Sequence, residues 1–374
     1  NNSAVYDERP EFETFLKEWV SLHESKAGER GIFSRKAAQL RASQNGRRDA
    51  DREFGTNPCS EIILRPAQFC NLSEVVVRSG DEAEHLALKT RYAAILGTLQ
   101  STMTDFRYIR KIWKDNTEEE RLLGVSLTGI CDNVLTAGLG KGTDKNSIIA
   151  REEQELLLES LQDVAVGTNM EWAQALGIPQ STAVTCVKPS GTVSQLVNAA
   201  SGIHPRCAPY YIRRVRGDKK DPMTKFMQEN GFPWEDDVMN PETIVFSFPQ
   251  KAPQESVFVK DVSAMEQISL WETYQDYWCE HKPSATIYYK DDEFLTVGQY
   301  IWDNIEKISG LSFLPHSDHV YQQAPYEEVD EETYNKLVSE MPNIQNWDDL
   351  ALYEQSDQTI GSQELACVSG VCEI

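Results

Sequence analysis

Apolar residues recur at helical spacing in two early stretches, Glu11 to Ser21 and Ser34 to Arg41, separated by a turn at Gly28-Glu29-Arg30-Gly31. Short apolar, β-branched runs at Glu61 to Leu64 and Asn71 to Val77 predict strands flanking a loop, and Glu82 to Ser101 predicts a long helix. The pattern then gives a helix over Thr117 to Leu123, a turn over Gly124 to Gly129, a helical run to about Ala137 and a long amphipathic helix from Ser147 to Leu176. Further strands are expected at Ser181 to Val187, Thr243 to Phe248 and Ser284 to Tyr289, with helices at Ser263 to His281 and Val297 to Ile308. Strands alternating with helices predict an α/β architecture with mostly parallel pairing. Beyond Gln355 the pattern reads as a tail passing from order into flexibility.

Composition narrows the class. A chain of 374 residues is long enough for one large or two ordinary domains and a sizeable core. Its net charge of -23 argues against binding duplex nucleic acid or an anionic membrane through the surface as a whole, so an anionic substrate must meet a local cluster of donors. Eight irregularly spaced cysteines do not make the dense disulfide framework of a small secreted domain. No apolar run is long enough to span a bilayer, and the N-terminus lacks the order of a signal peptide. The sequence reads as that of a soluble, cytoplasmic protein.

The cysteines carry the candidate chemistry. Cys59 lies in Asn57-Pro58-Cys59-Ser60-Glu61, two residues from an amide and two from a carboxylate, and in an extended segment all three side chains share one face. Cys70 follows eleven residues later, and Cys367 and Cys372 close the chain. Two thiols joined by a short segment near a free end suit thiol–disulfide exchange with a buried disulfide and then with an external reductant. A structural disulfide or half of a zinc site is the alternative, although zinc needs further ligands and no second cysteine pair or nearby histidine pair supplies them. No protein-bound metal cluster is expected. Pro189-Ser190-Gly191-Thr192-Val193-Ser194 follows a strand and opens a helix, offering hydroxyls and amides to an anion. It lacks the Gly-Lys-Ser/Thr end of a Walker loop, and simple helix capping remains the other reading.

Taken together, Gly55 to Ile62, Cys70-Asn71-Leu72, Leu123 to Gly129, the Pro189 to Ser194 loop, Gly202-Ile203-His204-Pro205 and the Cys367/Cys372 tail resemble the catalytic subunit of ribonucleotide reductases. Gly28 to Phe33, Leu311 to Pro315 and His319 to Tyr326 narrow the resemblance to the adenosylcobalamin-dependent (class II) enzymes, of which the chain matches the C-terminal half. The resemblance implies half of a ten-stranded α/β barrel over residues 1–340, with a central finger loop at about 55–71 and a redox-active tail over 341–374. It implies that Cys59 becomes a thiyl radical and takes the substrate's 3′ hydrogen, that Glu61 takes the 3′-hydroxyl proton and that Asn57 hydrogen-bonds the reacting hydroxyls. Cys70 becomes one of the two thiols that reduce the 2′ carbon, Cys367 and Cys372 reduce the resulting disulfide, and Pro189, Ser190, Gly191, Thr192, Val193 and Ser194 hold the substrate phosphates.

By the same resemblance the cofactor is adenosylcobalamin, the substrate a ribonucleotide, with triphosphate favoured, and the reductant thioredoxin or a similar protein. The family's partner for Cys70 lies upstream of this chain, so a complementary N-terminal half is expected on another chain or in a longer precursor. Cys131, Cys186, Cys207 and Cys279 read as buried small residues or incidental thiols. Tyr288-Tyr289 resembles the radical-carrying tyrosine pair of metal-dependent class I large subunits, but adjacent strand residues face opposite sides and aromatic packing is the simpler reading. His204 is read as structural or at the substrate's edge in preference to a cobalt ligand. The alternatives are a class I large-subunit fragment and a non-catalytic module that completes another chain's barrel.

Overall fold

Phe15, Trp19 and Leu22 lie on one face of the first helix and are buried, as are Ile268, Trp271 and Tyr274 on a later one, so apolar spacing fixes which helical faces turn inward. The computed structural model describes residues 3–26, 28, 30–139, 148–316, 322–344 and 346–354, together with the backbone of 367–368 and 371–372. The chain divides into two compact units, one of Asn1–Arg206 with Glu255–His316 and one of Cys207–Gln254 with Ser317–Glu373.

In chain order the larger unit forms β1 (Ala4–Tyr6), α1 (Phe12–Ser25), β2 (Gly31–Ser34), α2 (Arg35–Ser43), β3 (Gly55–Thr56), β4 (Ile63–Leu64) and β5 (Asn71–Val76). It continues with α3 (Ala83–Gln100), α4 (Lys111–Glu120), β6 (Leu123–Thr128), α5 (Ile148–Leu176), β7 (Thr185–Cys186) and α6 (Thr192–Leu196). The smaller unit then contributes β8 (Tyr210–Asp218), α7 (Pro222–Glu229), β9 (Trp234–Asp236) and β10 (Thr243–Lys251). The chain returns to the larger unit for α8 (Ala264–Tyr277), β11 (Thr286–Tyr289), α9 (Phe294–Asp303) and β12 (Leu311–Pro315). Last come β13 (Tyr326–Glu328), α10 (Glu331–Glu340) and the two-residue strands β14 (Cys367–Val368) and β15 (Val371–Cys372).

In the larger unit β5, β6 and β7 pair in parallel, and a second sheet runs β1-β2-β12-β11 with one antiparallel contact, between β2 and β12. A parallel bridge from Val187 to Pro283 links the end of β7 to the segment entering β11. Among the described residues no sheet closes into a barrel. The core packs Val75, Leu123, Val125 and Leu127 from the three-stranded sheet with Leu158, Leu161 and Ala165 of α5 and with Trp19, Trp271 and Trp278. The smaller unit is different: its sheet, β13-β8-β10-β9, is antiparallel throughout, with Phe232, Ile244 and Phe246 as its buried cluster. The expectation of mostly parallel pairing therefore holds for the larger unit and fails for the smaller.

Two local expectations are corrected. Leu123 to Thr128 is a completely buried central strand, where the sequence pattern predicts the end of a helix followed by a turn. The preceding helix stops at Glu120, with Arg121 in the left-handed region at φ 47°. Gly124 sits in the strand because a Cβ there would lie 2.7 Å from Leu72 Cδ2 and 2.9 Å from Ile62 Cδ1, so the glycine marks a close approach and not a bend. The strand expected over Ser181 to Val187 is shorter, Thr185–Cys186.

Candidate functional site

Cys59 sits at the tip of a hairpin. β3 and β4 pair as Gly55 with Leu64 and Thr56 with Ile63, and Asn57 N–H donates to Ile62 O at 3.3 Å across the loop. Ser60 N–H donates to Asn57 O at 2.9 Å, so Asn57 to Ser60 is a turn with Pro58 at its second position. Ser60 is held at φ 69°, a conformation that non-glycine residues adopt at a cost and that surrounding contacts must maintain. The extended segment expected around Cys59 is thus corrected to a turn, because Asn57 and Pro58 favour one and its hydrogen bonds close it. Asn57 Oδ1 accepts from Ile62 N–H at 2.9 Å, which leaves the amide nitrogen as that side chain's donor toward a ligand.

The turn buries its acid and leaves its thiol half-buried. Glu61 is completely buried, its Oε1 is 3.5 Å from Lys188 Nζ, and its Oε2 has no hydrogen-bond partner. Burial alone would lower Lys188, but Glu61 and Cys59 hold its ammonium above the ordinary range. Cys70 enters β5 beside the same acid: burial pushes its thiol up, Glu61 adds to the effect, and Arg48 opposes it. Cys59, Glu61 and Cys70 therefore share one electrostatic environment. An open pocket of about 740 Å³ flanks the hairpin and is lined by Asn57, Pro58 and Ser60, but not by Cys59, Glu61 or Cys70.

The three-stranded sheet explains the site's floor. Register pairs Glu74 with Ser126 and Ser126 with Cys186, so these three, with Lys188 two residues further on, occupy the face opposite Val75, Val125 and Leu127. Burial pushes the Glu74 carboxyl up, while Ser190, Lys188 and Thr128 oppose the shift. Lys188 N–H donates to Ser126 Oγ at 2.8 Å, which fixes the exit of β7 into the 189–194 loop. In that loop the N–H groups of Ser190 and Gly191 both donate to Ser201 Oγ, at 3.0 and 3.1 Å, and Ser194 Oγ donates to Gly191 O at 2.7 Å. Those two amides are engaged within the protein. An anion meeting this loop faces the Thr192 end, where Thr192 and Val193 are exposed.

Of the tail over 341–374, residues 341–344 and 346–354 are described; beyond Glu354, where flexibility is expected, the tail falls almost entirely outside the described residues. Of Cys367 and Cys372 the backbone alone is described: the two are opposed in the β14–β15 pair, and opposed α-carbons in antiparallel strands are roughly 4.5–5.5 Å apart. Residues 319–321 of the stretch His319 to Tyr326 also lie outside the described residues. Cys131, Cys186 and Cys279 are buried, and burial pushes all three thiols up, while Cys207 is half-buried. Tyr289 is buried beside Trp19 with its hydroxyl 3.0 Å from His23 Nδ1, whereas Tyr288 is half-buried with its backbone tied to Gln267.

Several site residues carry no local sequence signal. Ser284 Oγ donates to Cys59 O at 2.5 Å, Lys282 Nζ donates to Ser60 O at 2.6 Å, and Ile63 N–H donates to His281 Nδ1 at 3.3 Å. The segment His281 to Ser284 therefore cradles the hairpin by its backbone. Glu74 and Lys188 were also missed as site residues; a polar residue two positions after Cys186 in an otherwise buried strand was the available hint.

No family model matches the chain. It is 29% identical, over 95% of its length, to the adenosylcobalamin-dependent ribonucleoside-triphosphate reductase of Lacticaseibacillus paracasei, of which it covers 50%. The enzyme of that name from Lactobacillus leichmannii is 30% identical over 87% of this chain and is covered to 46%. A crystal structure of B12-dependent (class II) ribonucleotide reductase is similar with a TM-score of 0.74 at 28% identity, over 96% of this chain and 52% of that one. The alpha subunit of the class Id ribonucleotide reductase of Actinobacillus ureae has a TM-score of 0.56 at 14% identity, over 82% of this chain and 61% of that one, a likeness of fold alone. The chain spans about half the length of the curated relatives it matches. By sequence and by fold it is similar to about half the length of the adenosylcobalamin-dependent ribonucleotide reductases.

Proposed function

We propose that this chain carries the radical-bearing half of a ribonucleoside-triphosphate reductase. The observation that carries the reading is Glu61, a completely buried carboxylate with one oxygen unpartnered, set in the turn that bears Cys59. An unpaired buried acceptor is costly, and a bound hydroxyl would satisfy it. In this reading Cys59, as a thiyl radical, takes the 3′ hydrogen atom, while Glu61 accepts the 3′-hydroxyl proton and Asn57 donates to the reacting hydroxyls. The 2′-hydroxyl leaves as water. Cys70 and a second thiol supply two electrons and two protons and end as a disulfide, and Cys59 returns the hydrogen atom to C3′, which regenerates its thiyl radical.

Cys367 and Cys372 then reduce that disulfide by exchange and pass the oxidation to thioredoxin or a similar dithiol. Their opposed backbone positions suit a disulfide of ordinary span. The substrate's phosphates meet the Pro189 to Ser194 loop at its Thr192 end. The body over 1–340 forms the C-terminal half of a ten-stranded barrel with residues 55–71 as its finger loop, the tail covers 341–374, and a complementary N-terminal half supplies the rest in the cytoplasm. Among the described residues no helix is long and apolar enough to cross a membrane.

The relatives' printed names make adenosylcobalamin the cofactor of this reading; when bound it supplies the radical that oxidises a thiol. The chain's residues do not fit a role as cobalt ligand at His204. Its Nδ1 donates to Ser201 O at 2.9 Å and its Nε2 accepts from Thr286 N–H at 2.9 Å, so both ring nitrogens are engaged. Burial lowers its pKa and keeps this neutral form. Among the described residues no group of three or more His, Cys, Asp or Glu could hold a metal ion.

The test is reduction of a ribonucleoside triphosphate by this chain with adenosylcobalamin and a dithiol, with and without a polypeptide that supplies the missing half. Deoxynucleotide should form in the combined sample and vanish with Cys59→Ser, while the complex still assembles. Turnover that survives Cys59→Ser would sink the reading, and turnover that follows a separate metal-bearing subunit would transfer it to class I.

A further inference from the structure

We propose that Lys282 is a positioning residue for Cys59, gripping the turn that carries the thiol and setting a counter-charge beside Glu61. Lys282 is completely buried, and its Nζ donates to Ser60 O at 2.6 Å and to Ser60 Oγ at 3.2 Å. The fit is close on the other side as well: a Cβ on Gly310 would lie 3.1 Å from both Lys282 Nζ and Ser60 Oγ. With Ser284 on Cys59 O and His281 on Ile63 N–H, one short segment holds the hairpin at three backbone points. Ser60 needs that hold, because its positive φ is not a conformation serine keeps unaided.

A buried ammonium is an expensive clamp, and an apolar side chain in the same space would cost the fold less. The charge therefore answers to something other than packing. The groups facing it are Glu61 from the hairpin, Cys186 from β7 and Cys279 just before the cradle; Glu61 is the strongest of these. Beyond Cys279, Arg41 donates to that residue's carbonyl. His281, next in the chain, is neutral, its pKa pushed well down by burial. Burial pushes Lys282 down to about 8, with Glu61 opposing. The ammonium is thus present at neutral pH and lost just above it, leaving Ser60 with a weaker donor and Glu61 without its charge on that side.

The naming of Cys59 as the reacting thiol rests on the reductase reading; the grip on its turn does not. The test follows the Ser60 amide by NMR in the full 15N-serine-labelled chain across pH 6.5 to 9.5, with Lys282→Met and Ser284→Ala as variants. The amide should titrate with a midpoint near 8 in the wild type and in Ser284→Ala, and should be flat in Lys282→Met. A wild-type amide that does not move near that midpoint, or moves equally in Lys282→Met, overturns the proposal. In the completed enzyme, turnover should fall along the same curve, and Lys282→Met should lower kcat on the order of 10²-fold with KM little changed. An unchanged kcat in Lys282→Met would overturn the positioning role. A completed wild type without any turnover would instead count against the reductase reading, leaving the amide titration to decide the clamp.

Discussion

Asp132 and Glu61 are both buried acids of the larger unit, and their surroundings differ at every oxygen. Asp132 Oδ1 accepts from Arg206 Nε at 2.7 Å and Ser256 Oγ at 2.8 Å, while Oδ2 accepts from Arg206 Nη2 at 2.8 Å and Ala200 N–H at 2.7 Å. Glu61 has one long contact, 3.5 Å to a lysine, and one oxygen with no partner. A bidentate guanidinium with two further donors saturates a carboxylate and locks the backbone around it. A carboxylate left half-satisfied steadies the ammonium groups near it but keeps an acceptor open to a ligand. Burial alone would rank the two acids as equals; the donors around them separate scaffold from site.

The comparison breaks most severely at the scaffold acid. Asp132→Ala strands the guanidinium of Arg206, whose side chain is 2% exposed, and should cost about 3–5 kcal/mol in urea unfolding. A loss below about 1 kcal/mol would show that Asp132 is no more structural than Glu61. The next effect belongs to the lysine beside Glu61. The folded pKa of Lys282 is about 8, below its ordinary 10.5, so between those values the unfolded chain binds more protons and stability rises with pH. Buried groups such as Tyr274 and Cys186, pushed up, act in the opposite direction above their ordinary values. The difference between wild type and Lys282→Met isolates the lysine, and from pH 7 to 10 the wild type should gain on the order of 2–3 kcal/mol relative to the variant. A flat difference would mean that the lysine is not desolvated.

What the sequence made legible follows the same division. Asn57, Cys59 and Glu61 were found because they lie within five residues of one another, and their turn chemistry is local. The first helix, expected over Glu11 to Ser21 and observed over Phe12–Ser25, and the long α5 are legible because helical burial repeats along the chain. β6 was not, since Gly124, Ser126 and Thr128 face the polar side of a sheet and mimic a turn when read without their partners. The cradle was not, because Lys282 and Ser284 reach backbone carbonyls more than two hundred residues away, and a carbonyl leaves no trace in sequence. Antiparallel β8 escaped because Arg213, Arg214 and Arg216 interrupt its apolar pattern; Arg216 is paired with Asp237 at 2.7 Å.

The smallest expected stability effect is the most informative, because it falls on the site acid. Glu61→Gln keeps the shape and removes a charge that lies 3.5 Å from Lys188 and faces Lys282 without a close ion pair to it, so unfolding should shift by about 1–2 kcal/mol, less than at Asp132. Glutamine still offers an acceptor but cannot take a proton, so in the completed enzyme turnover should drop about 10²–10⁴-fold. The two readings of Glu61 thus separate on two axes in one variant. If unfolding shifts by 3 kcal/mol or more and turnover survives, Glu61 is a second Asp132 whose partners are incompletely seen, and the half-satisfied carboxylate ceases to mark a site. If stability holds while turnover collapses, the unpartnered oxygen is where the substrate's hydroxyl binds, and the cradle, the strained serine and the buried lysine all serve to keep Cys59 beside it.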